Sequence, residues 1–154
     1  MYPILLTLHS FTRWLVLATL IGSIYKASRG YFQHKSFSKF DNSLRHWTAT
    51  TAHIQLVLGV ILYIKSPVIK YFWANFSTAF KQLDTVFFGL YHFLFMIISV
   101  VLITVGSALA KRKLTDKEKY RTMLIWFSIS LLLIFLVIPW KFSPLVSRPY
   151  LRTF

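Results

Sequence analysis

The stretch ILLTLHSFTRWLVLATLIGSIY, residues 4–25, decides the fold class of this chain. A bilayer span needs about 20 predominantly apolar residues, because a helix rises ~1.5 Å per residue through ~30 Å of hydrocarbon. The stretch meets that length, yet it carries His9 and Arg13. Ionisable groups cost ~2.5–3.5 kcal/mol or more at the centre of a lipid-embedded helix, so they face a protein interior or a polar cavity rather than lipid. Residues 47–64, 86–110 and 123–140 have the same apolar character, and they add His53 and His92 to the polar set. The reading is an all-α integral membrane protein with four spans and a polar site among them.

Composition narrows this further. At 56% hydrophobic and 14% charged, the chain has too little polar sequence for a separate soluble domain, so residues 1–154 form one domain. Short connections make an up-down four-helix bundle the expected architecture. The net charge of +14 is unevenly spread. The first connection holds Lys26, Arg29, Lys35, Lys39 and Arg45, and the third holds Lys111, Arg112, Lys113, Lys117, Lys119 and Arg121. The other side has only Lys65, Lys70 and Lys81, with Lys141, Arg148 and Arg152 in the tail. Eleven against six places both termini outside by the positive-inside rule. The basic loops suit anionic lipid headgroups rather than nucleic acid, for which no recognition element is visible.

Local signals set the expected boundaries. Arg29-Gly30 should end the first helix, Asp41, Asn42 and Ser43 offer N-caps for the second, and Ser66-Pro67 should stop it. Ile69, Phe72, Trp73, Phe76, Phe80 and Leu83 recur at spacings of three and four. That pattern predicts an amphipathic helix in the outer interface, serving as an anchor, a lid or a docking face. Gly22, Gly59, Ser99, Gly106, Ser107, Ser128 and Ser130 would let helices approach closely. The chain has no cysteine, which excludes disulfides, thiolate metal sites and thioether-linked haem. Its first residues lack a basic n-region and a small-residue cleavage site, so the first span should be retained.

Depth decides which polar residues can meet. His9 and His92 both come out roughly 9 Å below the outer boundary, and Arg13 one turn below His9, while His53 lies ~12 Å from the inner one. Spans one and three are diagonal in a simple bundle, about 11–14 Å apart, a separation that two imidazoles and an iron atom can bridge. His9 and His92 are therefore candidate axial ligands of a haem iron. Arg13 needs an acceptor, which a haem propionate, a quinone oxygen, Gln55 or a carbonyl could supply. His53 with Gln55 would form a secondary polar site, with His46 seven residues earlier on the same helix face and His34 in a basic loop. The alternative is that the histidines are interhelical contacts of an accessory subunit, with a membrane protein partner or further copies. A metal or small-solute permease is a third reading. No carboxylate pair, Walker loop, Ser-His-Asp set or metalloprotease histidine pair points to an enzyme.

The runs LHSFTRW (8–14), AHIQLVLGVILYI (52–64) and HFLFM (92–96), with the closing IPW (138–140), resemble small four-span bacterial membrane proteins labelled cytochrome b-like. The resemblance spans nearly the whole chain and departs from the pattern at Tyr91, where an acidic residue often precedes the histidine. It implies a bacterial inner-membrane protein with b-type haem, and by it His9, Arg13, His53, Gln55 and His92 match the polar positions. The function expected is electron transfer, quinone-linked, with these five as candidate cofactor-binding residues.

Overall fold

The computed structural model describes residues 1–146 and 148. Arg152, counted among the tail charges, lies outside them. Helix α1 (Tyr2–Phe32) opens on Pro3, whose fixed φ suits a first turn and whose missing N–H costs nothing there. Gly30 does not end it. A Cβ at Gly30 would meet the Tyr120 ring at 2.3 Å, so the glycine admits an aromatic side chain against the backbone. The turn that closes α1 is made by His34, at φ 52, while the Lys35 N–H returns to the Gly30 carbonyl at 3.1 Å.

Helix α2 (Lys39–Lys65) is capped by Ser38, with Asp41 answering from the third position, so the expected cap at residues 41–43 lies three to five residues too late. It stops where Ser66-Pro67 predicts. Beyond it, the expected single amphipathic helix is divided into α3 (Pro67–Ala74), α4 (Phe76–Ala79) and α5 (Leu83–Val86). Ile69, Phe72 and Ala79 turn inward, whereas Trp73, Phe76, Phe80 and Leu83 are exposed. A π-helical turn, Phe87–Tyr91, joins α5 to α6 (His92–Arg112). α7 (Asp116–Val137) begins with a capping box of Thr115 and Glu118.

Among the described residues, four helical stretches are long and apolar enough to cross a membrane: Tyr2–Phe32, Lys39–Lys65, Leu83–Arg112 and Asp116–Val137. α1 packs on α2 and α7, and α6 packs on the same two, which sets α1 and α6 across from each other. The faces that meet are built from small and apolar groups. Ser23 and Thr48 hydroxyls pair at 2.7 Å between α1 and α2, both side chains fully buried. Gly106 of α6 receives Trp126 of α7, where a Cβ would lie 2.3 Å from the Trp126 Cβ. Gly22, by contrast, faces open space, so it allows no close approach. Leu20, Ile103, Met123 and Phe127 form the centre of the core.

Candidate functional site

Pro139 shapes one wall of the site. It has no N–H and disfavours helix at the residue before it, so α7 stops at Val137 and its last carbonyls lose their helical partners. The Trp140 indole N–H donates to the Phe135 carbonyl at 2.8 Å, which accounts for one of them. The Val137 carbonyl lies 2.8 Å from Nδ1 of His92. A carbonyl only accepts, so Nδ1 carries the proton and Nε2 keeps its lone pair. Phe87 and Phe88, from the π turn, pack on that imidazole with centroids 5.8 and 6.0 Å away. The turn itself is held by the Tyr63 hydroxyl, which donates to the Gly89 carbonyl at 2.7 Å.

The facing wall comes from α1 and α2. His9 lies against Gly59, where a Cβ would be only 3.3 Å from Cε1 of the imidazole. Gln55 brings its amide nitrogen to 3.0 Å from the His9 carbonyl and 3.3 Å from Nε2 of the His9 ring. Its amide oxygen accepts from the Thr12 hydroxyl. With an amide donor facing Nε2, the ring proton sits on Nδ1, which is buried and has no hydrogen-bond partner among the described residues. A buried donor left so costs ~1–3 kcal/mol. Arg13 follows one turn along the same face of α1, with its guanidinium 5.5 Å over the Trp14 ring.

These walls line a half-open cavity of about 250 Å³ that includes His9, Arg13, Gln55 and His92, with Met96 and Phe93 among its apolar residues. Among the described residues no Asp or Glu lines it. Its volume is larger than the ~150 Å³ that admits benzene and smaller than the ~300–1,000 Å³ of pockets for drug-sized molecules. A substituted single ring is the right size. Arg148 also lines the cavity, paired with Asp84 at 3.1 Å and lying 5.1 Å over the Phe88 ring. Sequence reading missed that pair, which no spacing links across 64 residues.

His53 does not join the cavity. Two residues from Gln55 on a helix is a rotation of about 200°, so the two side chains leave α2 on opposite sides. His53 is exposed, with Nε2 2.8 Å from the Thr104 hydroxyl on α6. The expected secondary site of His53 with Gln55 is thereby divided. His46 is exposed beside Trp47, and His34 closes α1. Comparison of the chain with protein-family models, with curated proteins and with solved structures finds no match.

Proposed function

We propose that this protein is a multi-pass subunit of membrane electron transfer that binds a quinone head group between His9, Arg13, Gln55 and His92. The observation that carries the reading is the convergence of these four side chains, from three helices, on one ring-sized cavity with apolar walls. A quinone head is a single ring with an oxygen at each end. Arg13 offers donors to a carbonyl that gains negative charge on reduction, and among the described residues no carboxylate lines the wall to oppose that charge. His92, with its Nε2 lone pair, accepts a hydrogen bond from the hydroxyl of the reduced form. In this reading the four long helices form an up-down bundle in a bacterial inner membrane, with the basic loops cytoplasmic and both termini periplasmic. The exposed Trp73, Phe76 and Phe80 lie in the outer interface.

The second reading is b-type haem with His9 and His92 as axial ligands. His92 favours it, because an Nδ1–H held by a backbone carbonyl is the arrangement that orients metal-ligating imidazoles. His9 fits less well, because Gln55 occupies its Nε2 side. Haem binding would require Gln55 to leave His9. A bound haem would supply a one-electron carrier.

Both readings are tested on protein purified in detergent. A short-chain quinone titrated against tryptophan fluorescence should quench Trp14 and Trp140 saturably. Arg13→Gln and His92→Phe should each weaken binding at least ~10-fold, as expected when a buried polar contact is lost. A Soret band with a sharp α-band that vanishes in His92→Ala would instead establish haem. Neither quenching nor absorbance would leave the accessory-subunit reading, in which the histidines are interhelical contacts.

A further inference from the structure

The backbone N–H of His92 returns to the Phe87 carbonyl, five residues back rather than the four of an α-helix. That extra residue decides what packs on the imidazole. An α register would turn the preceding segment by about 100° relative to His92, carrying Phe87 and Phe88 away from the ring they contact. A π turn is uncommon in an otherwise α-helical span, so contacts from outside the helix have to hold it.

Two such contacts exist, and both lead to α3. The Tyr63 hydroxyl donates to the Gly89 carbonyl inside the turn, and the Trp73 indole N–H donates to the Tyr63 oxygen at 3.1 Å. A donor into the phenol oxygen polarises its O–H, which strengthens the bond to Gly89. Phe72, fully buried, packs where a Gly89 Cβ would come within 2.6 Å of its ring. Phe88 and Leu90 flank Gly89, so an α register would bring a residue with a Cβ to that place. Phe72 and Trp73 are neighbours on α3 and neither lines the cavity, whereas Val68 and Ile69 from its first turn do. Trp73 is 57% exposed, so this chain of contacts runs from the protein surface to His92.

We infer that α3 positions His92 from outside the cavity and thereby sets quinone affinity, with Phe72 and Trp73 holding the π turn in the register that packs Phe87 and Phe88 on the imidazole. Tyr63, which carries the contact of Trp73 to Gly89, is a positioning residue with them. The affinity rests on the quinone reading, whereas the coupling to His92 does not. The test uses purified protein with isotope-labelled histidine rings and the short-chain quinone. Tyr63→Phe keeps the ring that stacks on Phe93, with centroids 4.1 Å apart, and removes only the hydroxyl. The His92 ring resonances, assigned by their loss in His92→Phe, should shift in Tyr63→Phe. Quinone should bind that variant about 5- to 10-fold more weakly, as for one lost hydrogen bond. Trp73→Phe should shift the same resonances by less and weaken binding about 2- to 3-fold. Tyr71, exposed on the same helix, has no bond to Tyr63 among the described residues, and Tyr71→Phe should change neither quantity. Wild-type protein that binds no quinone would remove the cavity reading, while the His92 resonances would still decide the coupling. Resonances that stay fixed in Tyr63→Phe, a Trp73→Phe variant that behaves like Tyr71→Phe, or a His92 shift with quinone affinity unchanged would overturn the inference.

Discussion

The two ends of the helical array treat buried polar groups in opposite ways. At the basic end, Asp41 is 3% exposed and its Oδ2 accepts from the Ser38 backbone N–H, the Ser38 hydroxyl and the Tyr120 hydroxyl, at 3.0, 2.6 and 2.8 Å. Its other oxygen makes no hydrogen bond among the described residues and lies 3.5 Å from the Lys26 ammonium, which balances its charge. Arg45, buried nearby, gives Nη1 to the Ser107 carbonyl at 3.0 Å and both Nε and Nη2 to Asn42. Gly30 and Gly106 at this end are covered by Tyr120 and Trp126, as Gly89 at the other end is by Phe72. At the opposite end, Gly59 makes room for an imidazole that keeps an unmatched nitrogen, and a cavity remains beside it. Polar groups at the basic end bond one another across helices, whereas those at the other end line a space, as the proposed quinone site requires.

Three substitutions test this contrast, from the largest expected effect downward. Asp41→Ala strips acceptors from Ser38 and Tyr120 at a buried position. It should destabilise by about 3 kcal/mol, seen as a fall of roughly 6–12 °C in the unfolding midpoint in detergent, while quinone affinity holds. If the midpoint does not move, the basic end is no fastening. His9→Leu should act differently. It removes a buried donor without a partner and, with it, the acceptor of one Gln55 amide hydrogen, so the two changes offset and the midpoint should move by no more than an amount matching about 1 kcal/mol while quinone binding weakens. A large loss of stability would make His9 a structural contact like Asp41. Gly59→Ala is the finest probe. The new methyl would press on Cε1 of His9 from 3.3 Å, shifting the ring by a few tenths of an ångström. Stability should change by roughly 0.5 kcal/mol or less and quinone affinity by a few-fold, measured in the same titration.

Parts of the site were legible in the sequence because they depend on one helix alone. His9 and Arg13 share a face by their spacing of four, whereas the fourth apolar stretch, read to residue 140, ran past Pro139, and the helix stops at Val137. The partners of those groups depend on how neighbouring helices are turned, which periodicity does not specify. Gln55 and His53 look equivalent along the chain, yet one faces His9 and the other the exposed surface beside Thr104. The π turn that carries Phe87 and Phe88 to His92 has no sequence signature comparable to a cap or a proline, and Gly89 within it reads only as a small residue until Phe72 is seen against it.

Hydropathy, helix length and charge distribution act locally or by simple sums. The amino-acid sequence by itself therefore determined four apolar helices, the basic connections between them and the presence of ionisable groups inside. Tertiary structure alone decided that Gly30 holds an aromatic ring rather than a turn and that Arg148 meets Asp84. It also decided that His92 takes the carbonyl released by Pro139 while His9 keeps a nitrogen unmatched. Each of these depends on the rotation of one helix about its axis relative to its neighbours, a quantity set by side-chain packing across the whole array.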